Sequence, residues 1–279
     1  MCRLYGFRAN EPTKVECTLV HAQNALMVQS RADLSGKSHA NGWGLATYDN
    51  HVPHVERQAW AAYHGEQFRR AAACIFSHQV LAHVRRATVG EPRIENTHPF
   101  VDGPWALIHN GTIPYFDRIR PRLLAELGEG RRAAIRGDTD SEHVFHFLRN
   151  LQERQPGRAT LDILKDAIET IVGWCREIDP NAKIGLNLIL TDGNEMVGSR
   201  LGRPLRYVER RSVLDCEICG FPHIHHDAHR DYRAFLVASE PISHETWHEV
   251  PEGSVYRVNE DFRIELTELA PAVRREPGG

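Results

Sequence analysis

The grouping of strand-like and helix-like segments is the feature that most constrains the fold of this chain. Segments with strand character come in runs, and two helical segments follow one another between those runs. A parallel sheet needs strands that alternate with helices, whereas antiparallel sheets are built from consecutive strands. The order therefore favours an α+β fold with antiparallel sheets over an alternating βαβ sheet.

The clearest strand pair is predicted at 184–200, where two apolar stretches flank Asp192-Gly193, a dipeptide favoured in tight hairpins. Further strands are predicted at 3–8, 42–49, 78–88 and 105–111, around the stretch YRAFLVAS, and as a pair near the C-terminus.

Two central helices are predicted from apolar periodicity and start signals. The stretch TDSEHVFHFLRNLQER begins with Thr139 and Glu142, whose spacing is that of a capping box. The stretch TLDILKDAIETIVGWC carries a continuous apolar stripe, and Pro180 ends it. We also expect helices at 13–29 and over GEQFRRAAACI.

Length, charge and cysteine content exclude several classes of protein. The 279 residues show no repeat and no long linker, so we expect one domain at 1–268 with a disordered tail at 269–279. A net charge of −3 speaks against a nucleic-acid partner, and the lack of a long apolar run speaks against a membrane partner. Sparse cysteines and no signal-peptide pattern predict a reduced, cytoplasmic protein.

A cysteine directly follows the initiator methionine. Removal of Met1 would give Cys2 a free α-amine with a pKa of about 8, within reach of its own thiol. One residue could then supply both the nucleophile and the base. Taken alone, however, a cysteine at a chain end is more often incidental than catalytic.

Four motifs follow Cys2 in a fixed order: NGWG (41–44), LAHVRRATVGEPRIENTHPF (81–100), IHNG (108–111) and GDTDSE (137–142). This ordered set resembles the class II glutamine amidotransferases, which use an N-terminal cysteine, and most of all their stand-alone, YafJ-like branch. The resemblance covers about residues 2–260. It implies the four-layer αββα sandwich of N-terminal-nucleophile (Ntn) hydrolases and a chemistry that needs no metal or organic cofactor.

The resemblance also implies roles for individual residues. Cys2 is the nucleophile, and Asn110 and Gly111 form the oxyanion hole, although Asn-Gly is also a common hairpin turn. Arg85 binds the substrate α-carboxylate, with a surface ion pair as the competing interpretation. Asp140 binds the substrate α-amino group, which is compatible with a second role at a helix start.

Other motif positions are less specific. His98 is expected to support the site or a substrate loop, or else to be a core histidine whose hydrogen bonds are satisfied within the protein. Sugar-amidating relatives carry Trp-Ala-Thr-His after the motif arginine, whereas this chain reads Arg86-Ala87-Thr88-Val89. This departure concerns how the site closes over its substrate, not its core chemistry.

The implied activity is hydrolysis of the γ-amide of glutamine or of a γ-glutamyl small molecule through a γ-glutamyl thioester on Cys2. The α-amine of Cys2 would act as base and then as acid. Two alternatives stay open: a glutaminase subunit that supplies ammonia to a separate synthase partner, and an inactive protein that binds γ-glutamyl ligands.

A Cys/His-rich insertion is predicted near 215–229, with the sequence DCEICGFPHIHHDAH. Thiolates and imidazoles at this density suit a tetrahedral zinc ion. The candidate ligands are Cys216, Cys219, His223 and His225, and a polar loop is the competing interpretation. The sequence does not decide between them, and we assign no metal to the catalytic site.

Overall fold

The structure is a computed structural model, and it describes residues 2–49, 51–212, 216–224 and 231–274. Its strands are β1 (Arg3–Lys14), β2 (Trp43–Asp49), β3 (Val52–Gln58), β4 (Phe76–Val84), β5 (Phe100–Asp102), β6 (Trp105–Thr112), β7 (Gly185–Thr191), β8 (Met196–Arg200), β9 (Arg206–Arg210), β10 (Ala234–Ala238), β11 (His248–Glu249), β12 (Ser254–Val258) and β13 (Ile264–Glu268). Its α-helices are α1 (Leu26–Arg31), α2 (Gln67–Ala73), α3 (Phe116–Glu126), α4 (Glu129–Ala134), α5 (Asp140–Arg154), α6 (Thr160–Ile178) and α7 (Pro271–Arg274).

The strands form two antiparallel sheets. The seven-stranded sheet has the order β11-β9-β10-β1-β4-β2-β3, and the six-stranded sheet has the order β13-β12-β8-β7-β6-β5. Strand β1 lies inside its sheet, between β10 and β4. The N-terminal end of the chain is therefore held on both sides by neighbouring strands.

Three apolar cores separate four layers. One core lies between the six-stranded sheet and helices α3, α5 and α6. A second lies between the seven-stranded sheet and helices α1 and α2. The third contains side chains from both sheets, such as Leu4, Leu81, Ile108 and Phe235, and so lies between them. This is the αββα sandwich that the resemblance implied.

The alternation of side chains along a strand decides which residues face the space between the sheets. On β1, Leu4 contributes to the core between the sheets, whereas Tyr5 and Phe7 face the helices. On β6, Ala106 and Ile108 face the other sheet. This pattern positions the candidate site described below.

Most predicted elements are present. The segment 184–200 is the β7–β8 hairpin, and β12 and β13 are the expected C-terminal strand pair. In contrast, the helix predicted at 13–29 is wrong, because β1 extends to Lys14 and a π-helical turn at Cys17–His21 precedes the short helix α1. The described residues include no helix that is long and apolar enough to span a membrane.

The tail prediction is wrong for residues 269–274. Leu269 and Val273 are buried against the core beneath α6, and the backbone N–H of Ala270 donates to Glu169 at 2.7 Å. Because two apolar side chains of this segment find a buried position, it packs rather than fraying. Residues 275–279 of the predicted tail lie outside the described residues.

The predicted capping box at the start of α5 is half formed. The Thr139 hydroxyl accepts from the backbone N–H of Glu142 at 3.2 Å, as expected of an N-cap. The Glu142 carboxylate, however, accepts from the N–H groups of Arg136 and Gly137, further back along the chain. It therefore fixes the loop that leads into α5 instead of the N-cap itself.

Candidate active site

The predicted nucleophile lies at one end of the space between the two sheets. Cys2 precedes Leu4 by two residues, and Asn110 follows Ile108 by two residues, so each continues a row that faces the other sheet. The Ser239 hydroxyl joins the two rows. It accepts from the backbone N–H of Leu4 at 3.0 Å and contacts the Asn110 side-chain amide at 3.2 Å.

The Cys2 side chain is held against the segment that follows β4. The backbone N–H of Arg86 donates to Cys2 Sγ at 3.4 Å, and the Arg86 carbonyl lies 3.6 Å from the same sulfur. Burial raises the pKa of the Cys2 thiol, although the Arg86 N–H and the positive charge of Arg85 act in the opposite direction. The thiol is therefore the resting form, and a base is needed to generate the thiolate.

A buried ionic cluster fixes the backbone of the nucleophile. The Arg3 guanidinium donates to the carbonyl of Cys2 at 3.0 Å and to Glu240 at 3.0 Å, and it pairs with Asp33 at 2.5 Å. His39 contacts the other side of this cluster, with Nε2 3.0 Å from Asp33. Sequence reasoning missed this cluster because its members are scattered along the chain and match no motif.

Asn110 lies within strand β6, where it pairs with Asn187 of β7. The hairpin-turn interpretation of Asn110-Gly111 is therefore wrong. The Asn110 side chain is 2% exposed, and its Oδ1 has no hydrogen-bond partner among the described residues. A buried amide that lacks a partner is uncommon and calls for an explanation beyond packing.

Gly111 has a packing reason to be glycine. A Cβ atom at this position would lie 2.0 Å from the Gly185 carbonyl oxygen, so β7 approaches the backbone too closely for any side chain. This close approach keeps the end of β6 flat against β7 beside Asn110.

Arg85 follows the last residue of β4 and is 2% exposed. Its guanidinium donates to the carbonyls of Val89, Gly90 and Glu91 at 2.8–3.0 Å. Within the described ranges no carboxylate pairs with it. The surface-ion-pair interpretation is therefore wrong: Arg85 is a buried cation that binds neutral carbonyl groups.

Asp140 is the first residue of α5 and is 4% exposed. Its Oδ2 accepts from the backbone N–H of Ile113 at 2.9 Å, and its Oδ1 accepts from the N–H of Ser141 at 2.9 Å. Thr139, not Asp140, is the N-cap. No lysine, arginine or histidine in the part of the chain described here forms an ion pair with this carboxylate.

Arg85 and Asp140 both act electrostatically on Cys2: the first lowers the pKa of the thiol and the second raises it. Each of the two segments is bonded to strand β6: the Thr88 hydroxyl lies 3.1 Å from the Thr112 hydroxyl, and Ser141 Oγ lies 2.8 Å from His109 Nδ1. The structure thus brings together the predicted residues Cys2, Arg85, Asn110, Gly111 and Asp140.

His98 is buried beside this group, with its ring 4.1 Å from that of His83 and 4.6 Å from that of Phe100. Neither of its ring nitrogens has a hydrogen-bond partner among the described residues, and burial holds its pKa well below the usual range. The ring is buried in the core, but these two nitrogens are not those of a satisfied core histidine, and the supporting role at the site stays a prediction.

The sequence model of the family "Glutamine amidotransferases class-II" matches residues 1–277 of the chain. This match covers nearly the whole chain, and the fold is that of the Ntn-type glutamine amidotransferases. The chain belongs to the class II glutamine amidotransferase family.

Two curated relatives match almost end to end. The γ-glutamyl-hercynylcysteine sulfoxide hydrolase of Mycobacterium tuberculosis strain CDC 1551 is 28% identical over 265 residues, covering 93% of this chain and 94% of that protein. The Escherichia coli K12 protein YafJ is 25% identical over 271 residues, covering 91% of this chain and 95% of that protein.

Solved structures share the fold. A class II glutamine aminotransferase domain protein from Silicibacter pomeroyi matches with a TM-score of 0.64 and 20% identity, over 97% of this chain and all of that one. Glutamine phosphoribosylpyrophosphate amidotransferase from Bacillus subtilis matches with a TM-score of 0.63 and 17% identity, over 97% of this chain and 50% of that one.

Proposed function

We propose that this protein hydrolyses the γ-amide bond of a γ-glutamyl small molecule, with Cys2 as the nucleophile. One observation carries the proposal: a buried cation, Arg85, and a buried anion, Asp140, stand near Cys2, and neither has an ionic partner among the described residues. Buried charges in proteins are normally paired. A γ-glutamyl head group, which carries an α-carboxylate and an α-ammonium, would supply both missing partners.

The charges of the site would select the glutamyl half of the substrate. The guanidinium of Arg85 can bind a carboxylate through two parallel hydrogen bonds. The carboxylate of Asp140 would accept from the α-ammonium group. An ordinary internal peptide bond offers neither charge, so this pair of residues favours γ-linked substrates.

The raised pKa of the Cys2 thiol requires a base, and removal of Met1 would provide one. The α-amine that is then exposed on Cys2 has a pKa of about 8 and can take the thiol proton directly or through one water molecule. Arg3 would hold this amine in place, because it binds the carbonyl of the same residue.

Asn110 would stabilise the oxyanion together with the backbone N–H of Gly111. The Ser239 hydroxyl already accepts from Leu4 N–H, so its own proton is free to go to the amide oxygen of Asn110. A half-turn of the amide gives that arrangement and leaves the NH₂ group free to donate to the substrate. This orientation also removes the buried, unpartnered oxygen.

The reaction then has two steps. The thiolate of Cys2 attacks the δ-carbonyl carbon, a C–S bond forms, and the C–N bond breaks as the protonated α-amine gives its proton to the leaving nitrogen. Water then attacks the γ-glutamyl thioester with the same amine as base, a C–O bond forms and the C–S bond breaks. Glutamate and the free amine or ammonia are released, and no metal or organic cofactor takes part.

Because the thiol of Cys2 must stay reduced, we place the enzyme in the cytoplasm.

Two relatives support a stand-alone hydrolase, because they match over nearly their whole length and one is named as a γ-glutamyl hydrolase. A second candidate function starts from the B. subtilis amidotransferase, of which this chain spans about half. In that case the protein would supply ammonia from glutamine to a separate synthase subunit.

The test is to measure glutamate release from glutamine, glutathione and other γ-glutamyl amides by the purified protein alone. We expect activity on at least one compound, abolition by Cys2→Ala, and retention by Cys74→Ala, which removes an exposed cysteine. Intact mass should show loss of Met1. Full activity of Cys2→Ala would refute the mechanism, and activity that appears only with an added synthase would favour the second candidate. Tight ligand binding without turnover would identify an inactive binding protein.

A further inference from the structure

Four metal-binding side chains meet at a second site, away from Cys2. The sulfur atoms of Cys17, Cys216 and Cys219 and a ring nitrogen of His223 all lie within 4.8 Å of one another. Cys17 is about 200 positions away from the others in the sequence. It was not among the ligands suggested by the sequence, and the suggested ligand His225 lies outside the described residues.

The fold brings the two segments together through the backbone. The Lys14 N–H at the end of β1 donates to the carbonyl of His223 at 2.8 Å, and Thr13 forms an antiparallel bridge with Ile224. Cys17 comes three residues after β1, at the start of the π-helical turn. The insertion is thus attached to the far end of the strand that begins beside Cys2.

Cys216 and Cys219 lie in a tight turn closed by a backbone hydrogen bond. The Gly220 N–H donates to the carbonyl of Cys216 at 2.8 Å, which closes the turn. The N–H of Ile218 donates to Cys216 Sγ at 3.4 Å.

The distances fit tetrahedral coordination. Zinc–sulfur and zinc–nitrogen bonds of about 2.3 and 2.0 Å place tetrahedral ligand atoms about 3.5–3.8 Å apart. The distance between Cys219 Sγ and His223 Nε2 is 3.3 Å. Only small side-chain movements would be needed for the four ligand atoms to coordinate one ion.

Zinc binds the deprotonated form of cysteine, so the three thiols would release their protons on binding. The divalent ion at the centre would offset the repulsion between the three thiolates.

We propose that Cys17, Cys216, Cys219 and His223 bind one structural zinc ion. A Cys₃His set with four protein ligands leaves no open position, which is the pattern of structural rather than catalytic zinc sites. The ion would fasten the insertion to the end of β1. Its presence would stabilise the seven-stranded sheet and leave the chemistry at Cys2 unchanged.

The test is metal analysis of the full-length protein purified from zinc-supplemented cells without chelators. We expect about one zinc per chain, and substitution by cobalt should give thiolate-to-cobalt charge-transfer absorption. In Cys219→Ser, which removes an exposed ligand, that absorption should fall by about a third, because one of three thiolates is lost. Cys17→Ser should reduce it equally, whereas Cys74→Ser should leave both metal content and absorption unchanged.

Two results would overturn the proposal. One is the absence of bound zinc together with no charge-transfer absorption when cobalt is added to the freshly reduced wild-type protein. The other is a disulfide between Cys216 and Cys219 in protein that was kept reduced during purification, since this would assign the pair a redox role. Because wild-type protein is used for both, misfolding of a variant cannot explain either outcome.

Discussion

Ser239 offers a sharp test of how the oxyanion hole is held. Its hydroxyl accepts from the buried N–H of Leu4 and contacts the amide of Asn110. Ser239→Ala removes both contacts, so the Leu4 N–H loses its partner, and we expect the free energy of unfolding to fall by about 1–3 kcal/mol.

The effect on activity can be estimated from the contact with Asn110. A neutral hydrogen bond contributes about 0.5–1.5 kcal/mol. If that energy orients the amide in the transition state, kcat should fall about 2- to 10-fold, since each 1.36 kcal/mol is tenfold. Removing the donor itself with Asn110→Ala sets the upper limit, about 10²–10³-fold. KM should change little, because Arg85 and Asp140 are untouched.

Ser199 provides the matched control. Its hydroxyl also accepts from a buried backbone N–H, that of Leu188 at 3.2 Å, and donates to the Leu186 carbonyl at 2.7 Å. Ser199→Ala should therefore lose similar stability with no loss of kcat. The assay is steady-state glutamate release, with urea denaturation for stability. Equal kcat losses in the two variants, or an unchanged kcat in Ser239→Ala, would refute the positioning role.

Three further outcomes are expected. Arg85→Lys keeps the charge but loses the planar fork, so kcat/KM should fall about 10- to 100-fold, mainly through KM; an unchanged KM would argue against carboxylate binding. Gly111→Ala should lower the free energy of unfolding by about 1–3 kcal/mol or more, because the added Cβ would clash with β7. Gly173→Ala, which has open space around it in α6, should raise it by about 0.5–1 kcal/mol in the same urea titration. Burial lowers the pKa values of His39 and His146 to about 4, so below about pH 6.5 the unfolded state binds more protons than the folded state. The free energy of unfolding should therefore fall between about pH 6.5 and 4, by up to about 1.4 kcal/mol per pH unit for each histidine. Urea midpoints measured across this range should show the slope, and His146→Asn should flatten it; an identical slope in that variant would contradict the assignment.

The strand content and the central helices could be predicted from local patterns alone. The apolar stripe of α6 and the N-cap at Thr139 depend on neighbours within one or two turns, and both predictions are confirmed. The helix predicted at 13–29 failed because pairing of β1 with β4 extends the strand to Lys14, and this long-range contact overrides local propensity.

The sequence by itself determined the antiparallel character of the sheets and the two central helices, because these depend on local periodicity. The candidate site residues came from the resemblance of short ordered motifs to a known family. Only the tertiary structure decided which charges are left without a partner. Whether Arg85 and Asp140 are paired, and whether Asn110 is in a turn or a strand, depends on elements far apart in the chain. Ser239 meets Asn110 because the two sheets face each other, and Cys17 meets Cys216 because the insertion pairs with the end of β1. Contacts of this kind join segments far apart in the chain, and no local pattern in the sequence encodes them.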